Sequence, residues 1–155
     1  MGIYTVIPPR RIEMAELLTL TTTSKDLDPN LNYLYIKDKT IQIIMQKYKT
    51  HKFYGKTKIT LSNKPEFVKL LKQYILENHI KNGDLVFEPQ SNFSKYLSNV
   101  FKQHTGKDIS VNLLRHSFIT NYLKTQRSLE QKKNIAKLLG HNTTTLEKYN
   151  RLDLQ

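Results

Sequence analysis

The sequence predicts an α+β domain, mostly helical with a small antiparallel β-sheet, spanning residues 1–155 as one unit. Three observations carry that prediction. β-forming residues cluster between Asn32 and about Leu61. Apolar stripes at helical spacing recur from Pro65 onward. At 155 residues the chain has room for one real hydrophobic core and little room for a second.

Taken in order, Pro8-Pro9 precede a short helical pattern in which Met14, Leu17 and Leu18 fall at i, i+3 and i+4. Proline is tolerated before or within a first helical turn, where its missing N–H is not needed. Tyr33, Tyr35, Ile41, Ile43 and Ile59 then mark strands, interrupted by Lys37-Asp38-Lys39 and by a polar stretch around Gly55. Two hairpins or a three-stranded sheet fit this pattern. Pro65 opens a helix whose stripe is Phe67, Leu70, Leu71, Tyr74 and Ile75. A short extended piece follows at Leu85–Phe87. Phe93, Tyr96, Leu97, Val100 and Phe101 form the next stripe, which Gly106 ends. Leu114, Phe118 and Tyr122 make a third. Ile135, Leu138 and Leu139 make a fourth, with Gly140 where a helix C-terminus favours positive φ.

Composition narrows the class of partner. Lys plus Arg number 25 against 13 Asp plus Glu, a net charge of +12, and a domain this basic has nucleic acid as its default partner. There is no cysteine, which excludes a disulfide framework, Cys-based zinc sites and a Cys nucleophile, and suits an intracellular protein. No apolar run is long enough to cross a bilayer, and the start carries no signal-peptide pattern. Met1-Gly2-Ile3 leads almost at once into a candidate site segment, which suggests a fragment whose N-terminal part was left out.

The most informative residues lie late in the chain: Leu113-Leu114-Arg115-His116-Ser117-Phe118-Ile119-Thr120, then Leu138-Leu139-Gly140-His141, then Tyr149. Arg115 is four residues before Ile119, at the edge of an apolar stripe, where a charge needs a partner. His141 follows a helix-terminating glycine, and Tyr149 comes eight residues later on what reads as a short helix. Singly, each has a bland explanation. Tyr149 is one of nine tyrosines, His141 suits a helix C-terminus, and lysines in turns are usually solvated.

Together these residues resemble the C-terminal signature of the tyrosine recombinase (phage integrase) family: His-x-x-Arg-His, then Leu-Gly-His, then Tyr after eight or nine residues. Here the pattern stands as Asn112-Leu113-Leu114-Arg115-His116, Leu139-Gly140-His141 and Tyr149, and the likeness runs from about Pro8 to the C-terminus. The resemblance implies a fold like that of tyrosine recombinases and type IB topoisomerases. It also implies a first catalytic arginine in Pro8-Pro9-Arg10-Arg11-Ile12-Glu13, with Arg11 favoured and Arg10 the alternative. A β-hairpin lysine is implied in Tyr48-Lys49-Thr50-His51-Lys52, with Lys49 favoured over its neighbours Lys47, Lys52 and Lys56. One position departs: the family's first histidine is Asn112 here, able to donate a hydrogen bond to phosphate but not to exchange protons near neutral pH.

The implied chemistry is DNA cleavage and rejoining through a 3′-phosphotyrosyl intermediate. Tyr149 is the implied nucleophile, and Arg11 and Arg115 clamp the non-bridging oxygens with planar guanidinium forks. His141 holds the phosphate or the tyrosine hydroxyl, and Lys49 protonates the leaving 5′-oxygen. No metal or other cofactor is implied. His116 reads as a supporting group, and His51, His79 and His104 as surface or packing residues. Arg115→Ala is expected to abolish cleavage with little loss of fold. The implied partner is double-stranded DNA, bound as a homotetramer by the whole recombinase, with a monomer open for this domain alone. A viral or mobile-element origin and a DNA-associated location are expected. The other readings are a type IB topoisomerase or junction-resolving activity and, from a different class, a DNA-binding module that has lost catalysis, kept open by Asn112.

Overall fold

The computed structural model describes residues 2–11, 18–87, 93–142 and 144–146. Backbone contacts divide the chain into two compact units. One joins the two ends, Met1–Ile12 with Gln90–Gln155, and the other is the continuous stretch Glu13–Pro89.

In the first unit the chain opens with a single turn, α1 (Ile3–Val6), that buries Ile3 and Tyr4. The second unit is built on a four-stranded sheet of β1 (Leu18–Thr21), β2 (Asn32–Lys37), β3 (Thr40–Met45) and β4 (Thr57–Thr60), ordered as in sequence. β2 and β3 form a hairpin whose register closes on Lys37 and Thr40, leaving Asp38-Lys39 as a two-residue turn. Asp38 sits at φ 52, a left-handed conformation that aspartate tolerates better than most residues. β3 and β4 are antiparallel too, joined by a longer connection that holds the short helix α2 (His51–Tyr54). Ile43, Ile44 and Met45 are all fully enclosed although they alternate in direction, so both faces of β3 are covered.

Two expectations need correction here. The sheet is mixed: β1 runs parallel to β2, with Leu18 opposite Asn32 and Thr21 opposite Tyr35. Leu18, placed by its spacing on a helix, lies in that strand. The other members of that helical pattern, Met14 and Leu17, fall outside the described residues. The physical reason lies in the backbone pairing. β1 also bonds to the segment after Gly83 on its other side, with Leu20 N–H donating to Asp84 O (2.9 Å) and Val86 N–H to Leu18 O (2.7 Å). Flanked on both edges, all four of its residues are buried. The Leu-Thr-Leu-Thr run does alternate, but four residues are too few to outweigh the i, i+3, i+4 match of Met14, Leu17 and Leu18 in the sequence. The segment expected to be extended at Leu85–Phe87 is therefore real, its Leu85 bridging Thr19.

Helix α3 (Pro65–Glu77) starts as expected, with Pro65 in its first turn and Glu66 beside its N-terminus, and it buries Leu71. Back in the first unit come α4 (Phe93–Thr105), α5 (Val111–Leu123) and α6 (Leu129–Leu139). Ser110 caps α5, its side chain accepting from Leu113 N–H (3.2 Å). Ser128 and Gln131 form a reciprocal capping box on α6. Ile119 of α5 packs with Ile135, Ala136 and Leu139 of α6 and with Leu146, and Phe118, Tyr122, Leu123 and Leu138 close around them. The fold class is α+β, as expected. No described helix is long and apolar enough to cross a membrane.

Candidate active site

The site grows out of the packing of α5 on α6. Arg115 lies one turn before Ile119, so the face that carries Ile119 into the core carries Arg115 inward with it, leaving 3% of the residue exposed. A buried guanidinium must direct its N–H groups to acceptors. Nη1 donates to Pro9 O (3.1 Å) and Leu139 O (3.3 Å), and Nη2 meets His141 Nε2.

His141 is positioned by the end of α6. Gly140 takes φ 66 and ψ 35, the left-handed conformation that stops the helix, and donates to Lys137 O (3.1 Å). His141 N–H then reaches back to Ala136 O (2.8 Å), completing a Schellman closure that turns the histidine toward Arg115. The imidazole is buried, 5% exposed. Its pKa is pushed down to about 4, first by burial and then by the charges of Arg115, Arg11, His116 and Arg10. A guanidinium only donates, so Nε2 accepts from Arg115, and the neutral ring carries its proton on Nδ1.

The arginine pair contributes two different environments. Arg10 is enclosed, 1% exposed, whereas Arg11 is half-buried, with its backbone carbonyl accepting from the Tyr4 hydroxyl (3.2 Å). Both lie near enough to His141 to lower its proton affinity. Arg10, Arg11, Arg115 and His141 thus gather within one unit, around a strongly positive locus suited to an anion. His116 stands nearby at an exposed position on α5. Asn112, three residues before Arg115 on the same helix, is exposed.

Lys49 belongs to the other unit and is exposed on the connection between β3 and β4. That connection is tied at both ends. The Asn32 side chain accepts from Gln46 N–H and Lys47 N–H (2.9 Å each) and donates to Lys47 O (2.8 Å). The Tyr48 hydroxyl donates to Gly55 O (2.7 Å) and pairs with Thr57 Oγ1 (3.1 Å). Tyr4, Asn32 and Tyr48 were not legible as supports in the sequence. Their one signal is a hydrogen-bonding side chain inside or beside an apolar run. Tyr149 lies outside the described residues; the last described segment before it is a helical turn at 144–146, where Thr145 N–H bonds to Asn142 Oδ1 (2.6 Å). Among the described residues, no group of three or more His, Cys, Asp or Glu side chains is placed to hold a metal ion.

Helices with a small mixed sheet define an α+β fold. The chain is similar to the crystal structure of XerA recombinase, with a TM-score of 0.54 and 19% sequence identity over 92% of this chain. It spans 47% of that protein's length. No protein-family model and no curated protein matches the sequence.

Proposed function

We propose that this chain is the DNA-cleaving part of a site-specific tyrosine recombinase or integrase. The observation that carries this reading is the gathering of Arg10, Arg11, Arg115 and His141 in one unit. The fold likeness to a recombinase and the order of Arg115, His141 and Tyr149 along the chain support it.

In the proposed reaction the Tyr149 oxygen attacks the scissile phosphorus, forming a 3′-phosphotyrosyl bond as the bond to the 5′-oxygen breaks. Arg115 and one of Arg10 or Arg11 neutralise the non-bridging oxygens, a contribution of about 3–4 kcal/mol per donor in comparable sites. Arg11, half-buried, is open to an incoming phosphate, while Arg10 is enclosed and better suited to supplying fixed charge behind it. Neutral His141 serves as a hydrogen-bonding group at the phosphate or the tyrosine hydroxyl. Lys49 delivers the proton to the leaving 5′-oxygen, and Asn112 donates a hydrogen bond to phosphate. The ester keeps the energy of the broken bond, so rejoining needs no nucleotide. Double-stranded DNA is the proposed partner, with tetramer assembly by the whole recombinase and an origin in a virus or mobile element.

A nicked suicide substrate carrying the ends of the parent element tests this directly. The expected outcome is a denaturant-resistant protein–DNA adduct that Tyr149→Phe abolishes while DNA binding persists. An adduct that survives Tyr149→Phe would refute the nucleophile. DNA binding without any adduct would favour a module of the same fold that has lost catalysis. Asn112 is the observation behind that second reading, and gain of adduct in Asn112→His would then assign the loss to this position.

A further inference from the structure

Phe53 is 85% exposed, the most exposed of the large apolar residues named in the structure, while Tyr48 five residues earlier in the same connection is buried. Its exposure does not come from a loose loop. Phe53 N–H bonds to Thr50 O (3.0 Å), Gly55 N–H to His51 O (2.7 Å), and His51 Nδ1 to Tyr48 O (3.1 Å), with the Tyr48 hydroxyl locking Gly55 from behind. A well-held turn therefore presents an aromatic ring to the outside.

Its surroundings identify what covers it. From Gln46 to Lys58 the chain carries five lysines and no acidic residue. Lys47, Lys49, Lys52, Lys56 and Lys58 are all exposed. An apolar protein groove would have to desolvate these charges to reach the ring, and one phenyl group is too small an anchor for a lipid surface. A polyanion that also offers flat apolar faces satisfies both at once. We infer that Phe53 is a DNA wedge: the lysines hold the phosphates while the ring inserts against the bases of duplex DNA. This inference rests on the DNA reading above and adds a contact that the cleavage chemistry does not require.

The chain has no tryptophan, so Phe53→Trp introduces a single reporter at the turn. The variant and the parent would be titrated with a 30-base-pair duplex of about that length in low salt, alongside Phe53→Ala and Lys52→Gln. The expected results are quenching of the tryptophan on binding and an affinity on the order of tenfold weaker for Phe53→Ala, the scale of one base stack. Lys52→Gln should reduce the salt dependence by about one phosphate contact. Unchanged emission on DNA binding, or equal affinity for Phe53→Ala, would overturn the wedge and leave the DNA reading standing. Failure of the parent to bind DNA at all would overturn both. A spectral change with phosphatidylserine vesicles but not with DNA would overturn the wedge in favour of a lipid contact.

Discussion

Replacing Arg115 by alanine removes a charge and also the donor to two buried carbonyls, Pro9 O and Leu139 O. Burial therefore adds a stability cost to the loss of cleavage expected for this variant. A lost partner for buried acceptors costs about 1–3 kcal/mol, so Arg115→Ala should lower the urea midpoint as well as abolish cleavage. Arg115→Lys keeps the charge but not the planar fork; it should recover part of the stability and little of the activity. His141 has its own pH signature. An unfolded imidazole titrates near about 6.5, while the folded one titrates at about 4. The unfolded chain thus takes up the proton first. The stability that neutral His141 contributes is whole above about pH 6.5 and is lost as pH falls toward 4. Urea titrations between those values should show this slope, and His141→Gln should flatten it. A phosphate bound at the same place adds negative charge, so the His141 resonance should titrate at higher pH in the DNA complex.

At the scale of elements, helix ends and loop clamps decide where the site residues stand. Gly140 and Gly106 both end helices at positive φ, 66 and 72. Alanine at either position should cost about 1–2 kcal/mol of backbone strain. Gly140→Ala also disturbs the closure that places His141, whereas Gly106 carries no site residue. The paired variants should match in thermal stability and differ in cleavage; equal cleavage would separate the α6 closure from the site. On the other unit, Asn32 is fully enclosed and satisfies three backbone groups of the Lys49 connection. Asn32→Ala should speed hydrogen exchange at Gln46 and Lys47 and lower cleavage without touching DNA.

Over the whole molecule, charge and chain layout matter most. On the proposed DNA reading, a net charge of +12 makes phosphate neutralisation the main source of affinity. DNA binding should weaken by at least about tenfold between about 50 and 200 mM salt, a slope that fluorescence titration reads. A slope near zero would point away from a backbone-contacting mode. The unit that holds Arg10, Arg11, Arg115 and His141 is assembled from both ends of the chain, with Glu13–Pro89 inserted between them. Pro9 and Arg115 are neighbours across 106 residues of sequence. Folding of this unit must therefore close a long loop before the arginines meet.

Local patterns alone determined the helices from Pro65 onward, the break between strands at Lys37-Asp38-Lys39 and the stop at Gly140, because periodicity and turn chemistry act over a few residues. The order Arg115, His141, Tyr149 was also legible, through spacing and the family resemblance. Tertiary structure decided the rest. β1 became a strand because β2 and the Gly83–Val86 segment offered it hydrogen bonds on both edges. Arg10 is buried and Arg11 left half-open, a difference between adjacent arginines that their sequence does not show. The neutral state of His141 follows from burial beside several cations, a collective property that no single stretch of sequence contains.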